Sequence, residues 1–200
     1  SQIGTVTFVG VVSSLINTSV GAIAGMGSKF QNIALFQGMT VLENIMTGRN
    51  LFMKSSWLEQ GLNIGRARKE EKENRLAVEK VIKFLQIESI RKTPVSKLPY
   101  GLQKRVELGR ALVAEPKILL LDEPMAGMNL EEKADMSCFI LEINKEQGIT
   151  TVMIEHDMGV VMDISDHVVV LDYGKKIGDG TPSEVMSNQD VIDAYLGVSH

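Results

Sequence analysis

The residues best able to do chemistry stand in one short string, Ile118-Leu-Leu-Leu-Asp122-Glu123-Pro124. Four consecutive apolar residues read as a buried strand of a parallel sheet. Such a strand delivers the residues after it to the sheet's carboxyl edge, where open α/β sheets bind ligands. Two adjacent carboxylates repel, so a purely structural role for both is awkward unless a cation or a donor sits between them. One can hold Mg²⁺, directly or through water, while the next polarises a water for in-line attack on phosphorus. A strand that merely ends in an acidic turn is the plainer alternative, and it leaves that repulsion unexplained.

A second apolar run, Thr150-Thr-Val-Met-Ile-Glu-His156-Asp157, ends in the same manner. A histidine at a strand's carboxyl end can touch a terminal phosphate or its attacking water. Alone, His156 reads as a surface residue; behind an Asp-Glu pair in the same sheet it joins the chemistry. The third element is Leu98-Pro-Tyr-Gly-Leu-Gln-Lys-Arg105, just ahead of a helix expected over Arg105–Ala114. A glycine whose backbone N–H groups open a helix forms an anion site by geometry and dipole. Many helices begin with such a turn, so the value of this one lies in its place before the acidic strand.

The elements that must hold these residues can be read from periodicity. Val6 and Phe8 alternate with Thr5 and Thr7 as a short strand. Ser19 is placed to cap a short helix carrying Val20, Ile23 and Ala24, with Gly27 as its stop. Thr40-Val-Leu-Glu43 is a capping box. Gly48 to Gly65, which includes Trp57, has no period and reads as a surface excursion. Lys69–Gln86 is helical, with Leu76, Val81, Ile82 and Leu85 as its apolar stripe and a solvated charged face. Further on, a helix over Glu131–Gln147 stops at Gly148, a short one spans Met158–Met162, and strands cover Thr150–Ile154 and His167–Leu171. Asp172–Pro182 reads as a turn-rich hairpin. Short apolar strands alternating with helices imply a parallel sheet with right-handed crossovers and helices on both faces.

The 200 residues are 44% hydrophobic and 23% charged, with mean hydropathy near zero, which excludes general disorder and a many-pass membrane protein. A net charge of −4 offers nucleic acid no basic footprint. The single Cys138 cannot form an internal disulfide. Charge is unevenly spread: Lys29 is the first ionisable side chain, whereas 14 of the 27 residues from Arg66 to Lys92 are charged. Of the 25 residues Ile3–Gly27, 12 are Gly, Ser, Thr or Asn, a poor surface to set against lipid, so this run reads as buried strand and helix.

Taken in order, Phe30-Gln31, Leu98–Arg105, Leu119–Pro124 and His156 resemble the nucleotide-binding domain of ABC transporters. Phe30-Gln-Asn-Ile-Ala-Leu-Phe, Asp122-Glu-Pro-Met-Ala-Gly-Met-Asn-Leu and Ile154-Glu-His-Asp-Met-Gly-Val-Val-Met are similar to the branched-chain amino-acid uptake ATPases among them. The resemblance implies a P-loop NTPase-like α/β core over 1–36 and 104–200, with a helical signature subdomain over about 37–103. It also implies ATP and Mg²⁺ as cofactors. By the same resemblance, Gln31 is the Q-loop residue touching Mg²⁺, Asp122 the magnesium carboxylate, Glu123 the general base and His156 the switch histidine. Leu98, Pro99, Tyr100, Gly101, Leu102 and Gln103 form the signature loop, which caps a nucleotide held by a second nucleotide-binding subunit; Asn129 ends the D-loop. Residues from Gln31 to about Leu62 would face the transmembrane permease subunits, at the cytoplasmic face of the cell membrane.

The sequence departs from the family pattern in several places. Pro99, Tyr100 and Leu102 stand where Ser, Gly and Gln are usual, and Pro99 offers neither hydroxyl nor N–H. Asn129 stands where aspartate is common. No Gly-x-x-x-x-Gly-Lys-Ser/Thr occurs in the 200 residues, and Gly25-Met-Gly-Ser-Lys29 has the wrong spacing. Gly4-x-Val6-x-Phe8-x-Gly10 resembles the family strand that comes after the phosphate-loop helix, so the phosphate loop and its strand are expected to be missing. Nucleotide binding is then expected to be weak or absent and hydrolysis negligible in this chain alone. The sheet is expected to expose apolar edge, promoting self-association, unless the uncharged first 28 residues cover it. The alternative to an importer's energy-coupling subunit is a non-catalytic interaction or assembly protein that keeps the same surface. A DNA-repair relative of this fold is disfavoured by the absence of a coiled-coil insertion and a basic face.

Overall fold

The computed structural model describes residues 6–11, 20–23, 35–49 and 66–196. They fall into two compact units, one formed by residues 1–33 with 117–200 and the other by 34–116.

The first unit is built on a six-stranded sheet. Strands β1 (Val6–Val11), β2 (Val20–Ile23), β3 (Ile118–Asp122), β4 (Thr150–Ile154), β5 (His167–Asp172) and β6 (Lys175–Gly180) lie in the order β2-β3-β4-β1-β5-β6. The inner four are mutually parallel, and the edge strands β2 and β6 run antiparallel to their neighbours. The uncharged run thus supplies the sheet's centre: β1 is hydrogen-bonded to β4 on one side and β5 on the other, so no opening lies between them. Val20–Ile23 is strand rather than the expected Ser19-capped helix. Val20 and Ile23 are β-branched and Gly21 is a poor helix former, so pairing with β3 prevails over a weak local helix signal.

Helices α4 (Leu130–Gln147) and α5 (Met158–Ile164) make the crossovers β3-α4-β4 and β4-α5-β5. Both step the same way along the sheet, so right-handedness puts both on one face. On that face Leu119, Leu121, Met153, Val168 and Val170 are buried. On the other, Leu120, Val152 and Val169 are half-buried, so helical cover among the described residues is one-sided. Asn129 caps α4, and Gly148, at φ +66°, closes it in the left-handed conformation that a residue without Cβ tolerates best. The hairpin expected over 172–182 is β5–β6, succeeded by the short helices α6 (Pro182–Met186) and α7 (Gln189–Leu196).

The second unit packs α1 (Val41–Thr47), α2 (Arg66–Phe84) and α3 (Tyr100–Leu112). The Thr40–Glu43 capping box is present. Ile82 and Leu85 are buried as expected, but Leu76 is 55% exposed and Val78 takes its place in the core. Helix α3 begins at Tyr100, not Arg105, and lies in this unit, which runs from Ala34 to Pro116. Close approach of α1 and α3 holds it there. Gly109 faces Ile45 and Leu85, and a Cβ on Gly48 would collide with the carbonyl oxygen of Arg110 and lie 2.7 Å from Val113 Cγ1. Arg49 is buried beside this contact. Its guanidinium donates to Asn74 Oδ1 (2.9 Å), the carbonyl of Val113 (3.1 Å) and Glu115 Oε1 (2.6 Å).

Gly48→Ala is expected to destabilise this unit by about 1–3 kcal/mol, because the methyl group meets backbone that cannot yield. A urea unfolding series measures it, and an unchanged midpoint would refute the close-packing account.

Candidate functional site

Strands β3 and β4 pair in parallel with Asp122 opposite Ile154, so both end at one edge of the sheet. The chain then turns sharply: Glu123 has φ +44°, a left-handed conformation unfavourable for a residue with a Cβ. Its N–H still donates to the carbonyl of Ile154 (2.8 Å), which pins the turn to the end of β4. As a result Glu123 Oε1 lies 3.5 Å from Nδ1 of the exposed His156. The structure thus sets His156 beside the adjacent Asp122 and Glu123, which the sequence singled out as a pair some thirty residues away.

Two neighbours complete this edge, and neither was among the residues expected to matter. Glu155, almost wholly buried, accepts hydrogen bonds from the N–H groups of Met125 (3.1 Å) and His156 (3.2 Å). Asp157 caps α5 by accepting from Gly159 N and Val160 N, and pairs with Lys133 Nζ of α4 at 2.5 Å. The hydrogen bond from Lys133 holds the Asp157 carboxyl below the usual carboxylate range, and the same bond raises the Lys133 ammonium above its ordinary value. The acidic residues flanking His156 are visible in the sequence; that Glu155 turns inward is not.

The remaining expected residues have other engagements. Asn129 Oδ1 accepts from Glu132 N (2.9 Å) and its own N–H donates to Glu132 Oε2 (3.0 Å), so it serves as a helix cap. In the second unit, Tyr100, Gly101, Leu102 and Gln103 form the first turn of α3 rather than a loop before it. Pro99 is the N-cap residue and makes no side-chain cap, as its chemistry dictates. Gly101 and Leu98 are buried, Tyr100 is exposed above Lys104, and Gln103 Nε2 donates back to the carbonyl of Leu98 (2.9 Å). The opening N–H groups of this turn receive no side-chain cap from Pro99. Gln31, and most of the segment from 31 to 62, lie outside the described residues.

No group of three or more His, Cys, Asp or Glu side chains that could enclose a metal occurs among the described residues. Nucleotide-bound Mg²⁺ does not need one: one or two carboxylates, waters and phosphate oxygens suffice. The hard oxygen donors of Asp122 at the strand end fit that requirement. No helix among the described residues is long and apolar enough to cross a membrane.

A parallel sheet with a carboxylate pair and a histidine at one edge, accompanied by a separate helical unit, is the arrangement to set against known proteins. The ABC transporter family profile matches residues 4–126, and that of the branched-chain amino acid ATP-binding cassette transporters matches residues 175–200. BraF of Pseudomonas aeruginosa, a high-affinity branched-chain amino acid transport ATP-binding protein, is 36% identical over 173 residues. LivG of Salmonella typhimurium, described in the same terms, is 37% identical over 177. Each alignment covers 86% of this chain and 68% of the relative. Among solved structures, cbiO1 of Clostridium perfringens, part of the ABC transporter complex cbiONQ, superposes with a TM-score of 0.64 at 30% identity, covering 82% of this chain and 59% of its own. A nucleotide-free ATP-binding cassette from an ABC transporter gives 0.68 at 25% identity, covering 96% and 88%. The chain belongs to the ABC transporter ATP-binding family, in its branched-chain amino-acid transport group.

The Asp157–Lys133 pair has a definite pH signature. A depressed carboxyl contributes stability that is present above its unfolded value, about pH 4, and lost as pH falls through the folded value. The raised ammonium contributes below its unfolded value, about pH 10.4, and loses it as pH rises through the folded one. Lys133→Met should therefore lower stability at pH 7, by under about 1 kcal/mol for so exposed a pair, with the difference shrinking as acid protonates Asp157. Thermal melts across pH test this; a pH-independent difference would assign Lys133 to packing alone.

Proposed function

We propose that this chain is the ATP-binding, energy-coupling subunit of an importer for branched-chain amino acids. It would work against transmembrane permease subunits at the cytoplasmic face of the membrane and pair with a second nucleotide-binding subunit. The observation that carries the reading is the meeting of Glu123 and His156 at 3.5 Å beside Asp122, at the carboxyl edge of β3 and β4. Family membership supports the transport role, and the names of BraF and LivG support the substrate class.

In this reading Asp122 holds Mg²⁺, which when bound neutralises charge on the phosphates. Glu123 accepts the proton of the attacking water, and its left-handed backbone aims the carboxylate outward from the strand end. His156 stands close enough to orient that water or to donate to a terminal phosphate oxygen. Gln31 completes the metal's surroundings and reports to the permease through the segment ending near Leu62. The segment from Leu98 to Gln103, which ends in the first turn of α3, presents the backbone N–H groups of that turn to the nucleotide of the partner subunit. Asn129 acts through the helix it caps. The 200 residues contain no Gly-x-x-x-x-Gly-Lys-Ser/Thr, so by themselves they bind nucleotide weakly and turn it over negligibly.

The test is Mg²⁺-ATP binding and turnover with Glu123→Gln as control. The 200-residue chain alone should show no turnover above that of the variant. In an assembled transporter in which a phosphate loop is joined to these residues, Glu123→Gln should cut turnover by about 10²–10⁴-fold with nucleotide affinity retained. Micromolar affinity and Glu123-dependent turnover in the chain alone would overturn the first expectation. An assembled transporter indifferent to Glu123 would overturn the second and favour an assembly role.

A further inference from the structure

The Glu155 side chain is 2% exposed, yet it carries a carboxylate. Desolvating such a group is costly, and it is tolerated where several donors converge on it. Here one oxygen accepts from Met125 N and the other from His156 N, while Nδ1 of His156 stands 3.9 Å from the second oxygen. Met125 lies two residues beyond Glu123. On the other side of His156, Asp157 is bound to Lys133 of α4, which starts seven residues beyond Glu123, at Leu130. Both sequence neighbours of His156 are therefore tied to the segment that leaves β3, and by different chemistry: a buried carboxylate on a backbone amide, and a partly exposed ion pair.

We propose that Glu155 and Asp157 are positioning residues that fasten the His156 loop to the segment 123–133, so that Glu123 and His156 keep one mutual geometry. The proposal rests on the reading that these two residues act on a bound nucleotide, and it adds what sets their separation. Glu155 is the stronger fastening, because it is shielded from water and joins two backbone amides directly. Its requirement is chemical rather than volumetric: both oxygens must accept. Glutamine has the same size but only one acceptor oxygen, its amide nitrogen being a donor, and so can satisfy one N–H and must oppose the other. A residue that merely filled space would be replaced by glutamine without loss.

Amide hydrogen exchange on the full 200-residue chain, without nucleotide, reads the fastening directly. In Glu155→Gln the amide of Met125 or of His156 should exchange at least about tenfold faster, and in Glu155→Ala both should, while Leu120 and Val152 in the β3–β4 ladder stay protected. In the assembled transporter, Glu155→Gln should lower kcat by about ten- to a hundredfold with KM within twofold, as expected when reacting groups are misplaced but the ligand is still held. Full protection of both amides in Glu155→Gln, or a kcat equal to the parent's, would overturn the proposal. So would faster exchange throughout the ladder, which would make Glu155 a residue of general stability. A parent transporter with no Mg²⁺-ATP turnover would count against the proposed function, and the exchange measurement would still decide the fastening.

Discussion

The parallel register of β3 with β4 is the constraint on which the site depends. Asp122 faces Ile154, and one further backbone bond, from Glu123 N to the Ile154 carbonyl, carries the pairing a residue past the strand. Because parallel neighbours end at the same edge, the chemistry of two segments some thirty residues apart meets without any loop having to bend back. A one-residue slip would turn every side chain of one strand to the other face and pull Asp122 and Glu123 out of line with the end of β4. The positive φ at Glu123 is local strain sustained by that pairing and by the amide bonds just beyond it.

Burial polarises this edge. Glu155 points inward and commits its charge to two backbone amides, whereas His156, next in sequence, stands out in solvent beside Glu123. Asp157 returns to the protein, capping α5 and holding Lys133. Three consecutive polar residues thus have three different tasks, set by the strand's alternation continuing into the turn. The electrostatic consequence is a division of roles. Of the acidic groups gathered here, Glu155 is matched by backbone donors and Asp157 by an ammonium, while Glu123 faces outward with the imidazole.

The helical unit rests on a different device. Two glycines let α1 and α3 approach to backbone contact, and the buried Arg49 satisfies the end of α3 by donating to Val113 and Glu115. Hydrogen bonds from a charged donor are worth about 1.5–3 kcal/mol each when buried, so this arginine joins α1 to the end of α3 more firmly than an exposed ion pair would. The same packing draws the first turn of α3 into the unit, and with it the residues from Tyr100 to Gln103.

The string Asp122-Glu123, the His156 position, the capping box at Thr40 and the helices that run to Phe84 and Gln147 were legible because they depend on near neighbours in sequence. Periods of two and 3.6, a cap three residues from its glutamate, and a stop at glycine are local physics. Family motifs are equally local, and their order alone was enough to suggest a nucleotide-binding cassette. What the sequence left open depends on partners far along the chain. Val20–Ile23 became a strand because β3 offered it a ladder; Val78 rather than Leu76 entered the core because of where α1 and α3 lie. Asn129 was drawn to cap a helix, and Glu155 was buried between two loops. The amino acid sequence by itself determined which groups could do chemistry and in what order they occur. Only tertiary structure decided which of them meet, because burial and backbone pairing are properties of distant segments brought together and leave no mark on the local pattern.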